Sequence, residues 1–194
     1  MKTTFQNLGS DPEKFKADSL RHLKYRIKAF KAFMEAADLE SVILDGDQQS
    51  FYDYGLSIVY QLPENKKEQA YLKYLLSWGG PSDEIRFYYN PGNITTPYQI
   101  EYVYLDWFTG IGYDITNEPW AQWLAEWFNE CGTVESEIKR SINDASTENF
   151  IYNLIKSKDS FSPAKMNEKD IEFELFFTIM IRDNQVIIPT EYFY

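Results

Sequence analysis

Between Tyr54 and Trp107 four strand-like segments alternate with three turns, and no other stretch constrains the fold as much. Tyr54 to Leu62, Ala70 to Trp78, Glu84 to Tyr89 and Gln99 to Trp107 are rich in β-branched and aromatic residues and have the length of strands. The breaks between them carry turn chemistry: Pro63-Glu64-Asn65-Lys66-Lys67, Gly79-Gly80-Pro81-Ser82 and Asn90-Pro91-Gly92-Asn93. Connections this short join antiparallel neighbours, because a parallel crossover needs a dozen or more residues. The block at 54–108 is therefore expected to be an antiparallel meander of about four strands. In the second segment, Leu72, Leu76 and Trp78 are expected on one side, with Tyr71, Lys73 and Leu75 on the other.

Helical periodicity flanks this block. Ser10-Asp11-Pro12-Glu13 places a capping side chain, an early proline and an acid at a helix start. Phe15, Leu20, Leu23, Ile27, Phe30 and Met34 then recur close to one face, which predicts a long amphipathic helix within residues 1–37. Lys14, Lys16, Arg21, Lys24, Lys28 and Lys31 are expected on the opposite, solvated side. A second helical region spans 117–156, capped by Asn117 and ending its first helix at Gly132, with Trp120, Trp123 and Trp127 forming an aromatic stripe that reads as core. Val134 to Asn143 and Thr147 to Ile155 are read as two further helices, 157–169 as a polar loop, and 170–190 as a hairpin turning at Arg182-Asp183-Asn184. With no internal repeat or low-complexity linker, the 194 residues are read as one α+β domain.

Charge sharpens this outline. Residues 1–37 carry eight Lys/Arg against four Asp/Glu, whereas residues 38–133 carry four against fifteen, so the overall balance of −11 is concentrated in the centre. An acidic surface repels nucleic acid but competes for a protein's nucleic-acid site. The aromatic share is high, with 15 Tyr, 14 Phe and 5 Trp, which serves a core, a contact surface or both. The opening Met-Lys-Thr-Thr-Phe-Gln-Asn has no apolar run like that of a signal peptide, and no stretch has the length of apolar residues a membrane span needs. A cytoplasmic protein, without membrane association, is the expectation.

Reagents for catalysis are few. His22 is the one histidine and Cys131 the one cysteine, so multi-histidine metal sites, thiolate clusters and internal disulfides are excluded, and no metal or cofactor is expected. Phosphate-binding glycine loops, dinucleotide fingerprints and nucleophile elbows are absent. Carboxylates remain. Asp83 and Glu84 follow the Gly-Gly-Pro-Ser turn, with Arg86 two residues on, while Glu101 and Asp106 lie on the next strand. Such a group suits a cross-strand ion pair beside a tight turn, or alternatively a carboxylate-based, Mg²⁺-dependent hydrolase or nuclease centred on Asp83, Glu84 and Asp106.

Leu76-Ser77-Trp78-Gly79-Gly80-Pro81-Ser82-Asp83-Glu84-Ile85-Arg86-Phe87, followed by Ile100-Glu101-Tyr102-Val103-Tyr104-Leu105-Asp106-Trp107-Phe108, resembles a pattern in small proteins of phages and other mobile elements. In those proteins Leu-Ser-x-Gly-Gly-Pro-x-Asp precedes a Tyr-x-x-x-Asp-Trp-Phe segment. The resemblance covers about residues 55 to 108 and attaches no catalytic role to these positions. Read physically, the motif is a turn: Gly79 and Gly80 allow close backbone approach and Pro81 fixes the exit, with Trp78 and Trp107 expected to pack on one face of the sheet.

The resemblance implies an inhibitor of host defence, of the anti-CRISPR or antirestriction kind. On that expectation the chain is a non-enzymatic binder of a host protein or ribonucleoprotein nuclease complex. Asp83, Glu84, Tyr88, Tyr89, Glu101 and Asp106 are the expected contact residues. Two alternatives stand beside it: the carboxylate-based enzyme, and nucleic-acid binding by the basic helix through Lys24, Lys28 and Lys31.

Overall fold

The structure is a computed structural model, and it describes residues 2–63, 69–90, 93–157, 180–182 and 185–187. The expected α+β architecture is present. The chain divides into two compact units, Met1–Ile138 and Lys139–Tyr194.

In the first unit a six-stranded antiparallel sheet carries helices on one face. The expected meander appears as β4 (Ser57–Gln61), β5 (Tyr71–Ser77), β6 (Ser82–Tyr88) and β7 (Gln99–Asp106). Two strands extend it that the sequence reading did not anticipate. After a two-residue turn at Trp107-Phe108, β8 (Thr109–Asp114) pairs with β7, and β1 (Thr3–Asn7) closes the far edge against β8. The order across the sheet is β1-β8-β7-β6-β5-β4. A small hairpin, β2 (Val42–Leu44) with β3 (Asp47–Gln49), stands apart and turns through Asp45-Gly46.

Helix α1 (Pro12–Glu35) begins as its sequence directs: the Asp11 carboxylate accepts from the Lys14 amide at 3.2 Å and Pro12 takes the first turn, where a missing N–H costs nothing. Its buried stripe is Ser19, Leu23, Ala29, Phe30 and Phe33, whereas Leu20, expected on that stripe, is exposed. Helix α2 (Pro119–Glu130) has Glu118 at its cap position rather than Asn117. It buries Trp120, Ala121, Leu124, Ala125 and Phe128, and Trp120 lies flat against Phe30 at 5.3 Å between ring centres. Trp123 and Trp127, half-buried, pack edge-on to Phe51. The aromatic stripe of α2 is core, as its spacing implies.

Beneath the helices lies the inner face of the sheet: Leu72, Tyr74, Leu76, Ile85, Phe87, Ile100, Tyr102, Tyr104, Ile111 and Tyr113 are all buried. Each large side chain removed from water here contributes roughly 1.5–3 kcal/mol before ordering costs. Tyr74, Tyr102, Tyr104 and Tyr113 thus belong to the core, and the tyrosine-rich strands are not chiefly a contact surface. The outer face carries its own layer. Gly110 and Gly112 leave β8 bare, so the Phe5 ring lies across it, and a β-carbon on Gly112 would meet Phe5 Cδ1 at 2.7 Å and would also run into Thr4 Oγ1. From there Phe5 reaches toward Arg86, whose guanidinium also lies over Tyr71 at 4.8 Å, so Val103 beneath is fully buried.

One helix, α3 (Thr133–Ser157), occupies the region read as two, and Val134 at its start is buried. In the second unit β9 (Met180–Arg182) and β10 (Gln185–Ile187) pair antiparallel, in keeping with the expected terminal hairpin. The loop expected at 157–169 and the earlier part of that hairpin lie, past Ser157, outside the described residues.

Candidate binding site at the tip of the sheet

Strand alternation separates the acids that the sequence groups together. Asp83 points inward and is fully buried, while its neighbour Glu84 points outward. On the inner side, Arg26 of α1 grips Asp83 with two bonds, Nε to Oδ2 at 2.8 Å and Nη2 to Oδ1 at 2.9 Å. The Ser77 hydroxyl donates to Oδ1 at 2.5 Å and accepts from the Asp83 amide at 3.1 Å, and the Tyr102 hydroxyl donates to Oδ2 at 2.9 Å. Arg26 also donates to the Tyr54 hydroxyl at 3.0 Å. Burial alone would raise the Asp83 carboxyl, but Arg26, Ser77 and Tyr102 together outweigh it and hold the group below the usual carboxylate range. Burial and the same carboxylate push the Tyr102 hydroxyl well up, so it stays a donor.

In this network the carboxylate of Asp83, an expected contact residue, is saturated from within. Glu84, likewise an expected contact residue, is buried and bonded to Arg86 Nε at 2.6 Å. Glu101 is buried opposite Arg86 in the ladder and accepts from Tyr88 at 2.8 Å and from Gln99 at 2.8 Å. Tyr88 is thereby half-buried, and Tyr89 is buried with a hydroxyl lacking any partner among the described residues. Asp106 differs from the three buried acids. It is half-exposed at the end of β7, and among the described residues its carboxylate accepts no hydrogen bond.

Asp106 stands at a feature that the sequence reading placed wrongly. Trp78 and Trp107 do not pack on the sheet; they are 80% and 89% exposed, and Phe108 is 89% exposed. The β5–β6 and β7–β8 connections fall at the same end of the meander, so these rings crown one tip. The tip is braced from three directions. The Ser77–Asp83 bonds close the base of the first turn, and the Thr109 hydroxyl donates to the Asp106 carbonyl at 2.6 Å across the second. Asn7 at the end of β1 donates to the Phe108 carbonyl at 2.8 Å. The turns also touch: a β-carbon on Gly80 would stand 3.3 Å from Trp107 Nε1 and 3.4 Å from Asp106 Oδ1. The two motif segments therefore meet in space.

Trp107 adopts a φ of +50°, a left-handed conformation that costs an L-residue about 1–2 kcal/mol. A bulky aromatic side chain is thus held in a left-handed turn position and turned to solvent instead of core.

The other candidates are placed less suggestively. Lys24, Lys28 and Lys31 are all exposed on α1, where Lys28 pairs with Asp45 of the small hairpin. His22 lies against Tyr104 at 5.1 Å, a packing role. Among the described residues no group of three metal-ligating side chains converges, and no helix is long and apolar enough to cross a membrane. Compared with known proteins, the chain matches no family model, no curated protein and no solved structure.

Proposed function

We propose that this chain is a non-enzymatic binding protein that inhibits a host nucleic-acid-targeting defence complex of the anti-CRISPR kind. Its grip on that complex is the tip formed by Trp78, Trp107 and Phe108. The observation that carries the reading is the exposure of these three rings on two braced, adjoining turns. Tryptophan dominates interface energetics, and a pre-ordered tip loses little freedom on docking. The class of partner rests on the resemblance of the two motif segments, which converge at this tip. A carboxylate-based hydrolase fits less well, since Asp83 and Glu84 face opposite sides of the sheet and are each occupied by an arginine.

The test is a set of cleavage assays with purified RNA-guided nucleases and restriction complexes. Stoichiometric inhibition by the wild-type chain, weakened about tenfold or more by Trp107→Ala with Phe108→Ala, supports the proposal. Inhibition of none of them, or full inhibition by the doubly substituted chain, overturns it.

A further inference from the structure

We infer that Asp106, with the indoles of Trp107 and Trp78, forms a recognition site for a cationic side chain of the partner, an arginine before a lysine. The inference rests on the proposed binding function and names the chemistry that its tip takes. Four central acids lie on β6 and β7, and three of them are spoken for: Asp83 by Arg26, Glu84 by Arg86, and Glu101 by Tyr88 and Gln99. Asp106 is left, with no hydrogen bond to its carboxylate and no cation beside it among the described residues.

Around that carboxylate the tip is aromatic. Asp106 Oδ1 and Trp107 Nε1 both lie within 3.4 Å of the place where a Gly80 β-carbon would stand, so carboxylate and indole N–H stand together over the glycine. Trp78 precedes the two glycines of the same turn. Among the described residues none of the three rings stacks on another aromatic ring, and each is at least 80% exposed.

A free carboxylate beside exposed indoles matches one ligand chemistry closely. A guanidinium stacks flat on an indole through cation–π attraction while its N–H groups donate in the ring plane to a carboxylate. The protein already uses this pairing internally, where Arg26 lies over Tyr54 and bonds Asp83, and Arg86 lies over Tyr71 and bonds Glu84. A neutral apolar pocket would leave Asp106 desolvated without compensation. A phosphate or an anionic membrane would be repelled by it, in a chain of net charge −11. Clefts that handle nucleic acid present arginine and lysine to the phosphate backbone, so they offer the required cation.

The experiment titrates the full chain with N-acetyl-arginine amide and, separately, with its neutral isostere N-acetyl-citrulline amide. Binding is followed through the indole N–H resonances of the tryptophans in ¹H–¹⁵N spectra. Saturable shifts of the Trp107 and Trp78 signals with the arginine compound, on the order of millimolar in affinity, are expected for a single exposed cation–π and carboxylate pair. Asp106→Asn weakens that response about tenfold, whereas Asp47→Asn, at an exposed acid of β3 away from the tip, preserves it. Equal shifts with citrulline, or an arginine response unchanged in Asp106→Asn with the rest of the spectrum intact, overturn the inference. The two readings fail separately: inhibition lost in Trp107→Ala but retained in Asp106→Asn removes the cation site and leaves the binding tip standing.

Discussion

Asp83→Asn changes one atom in a carboxylate that has no contact with solvent and four donors around it: two from Arg26, one from Ser77 and one from Tyr102. The amide cannot accept from all four, and one of its own N–H groups must face a donor. Arg26, with its side chain only 12% exposed, then keeps a charge that nothing balances. Breaking a buried pair from one side costs about 3–5 kcal/mol, a large part of the roughly 5–15 kcal/mol that holds a domain together. Arg26→Leu in the same background removes the stranded charge, so the double variant is expected to lose less than the two single variants added together, with a coupling of about 2 kcal/mol. Urea unfolding followed by tryptophan fluorescence measures all four corners of this cycle.

The same pair sets a pH dependence. Because the folded-state pKa of Asp83 is depressed, its contribution is complete above the unfolded carboxylate value near 4. It is lost as pH falls from there toward the folded value. The stability gap between wild type and Asp83→Asn should therefore narrow below about pH 4. Single variants each within about 1 kcal/mol of wild type, adding linearly and with a gap independent of pH, would refute the reasoning.

Three further outcomes are expected. Trp107→Gly relieves the left-handed backbone at the β7–β8 turn and raises unfolding stability by about 1 kcal/mol while weakening partner binding; a loss of stability in the same urea assay would show that the ring supports the fold. Gly112→Ala drives a methyl into Phe5 and Thr4, so it should cost about 1–3 kcal/mol and loosen β1, seen as faster amide exchange at the strand's ladder bonds to β8. Gly80→Ala crowds Trp107 and Asp106 by a few tenths of an ångström, and is expected to leave unfolding within about 0.5 kcal/mol while shifting the Trp107 indole resonance.

Much of the fold is legible in local pattern. The four meander strands and α1 follow from alternation and periodicity because each buries one face against the other. The missed strands broke those patterns for reasons the structure supplies. β8 reads Thr-Gly-Ile-Gly-Tyr-Asp, and its alternating glycines look like strand breakers until Phe5 is seen lying over them. β1 is short and polar because it is an edge. The site was half visible. Arg26 stands three residues after Leu23 and four before Phe30, on the buried stripe, and a cation there demands a buried carboxylate. That signal, set beside Asp83-x-Ile85-x-Phe87, points to the pair. Which tryptophans face water was not legible, because motif spacing places Trp78 and Trp107 beside turns without saying on which side of the last strand residue each falls.

The bond from Asn7 to the Phe108 carbonyl joins residues 101 positions apart, and it has a consequence for the order in which the tip comes into being. The hairpins of the meander form from near neighbours, whereas β1 must wait with its partners unmet until β8 exists to receive it. Pairings of long sequence separation come late, after the entropy of closing the intervening loop has been met. The tip is thus finished by the final long-range step of assembling the sheet. A chain caught before that step carries Trp107 and Phe108 on a hairpin without its third brace, and completes the tip and its last edge strand together.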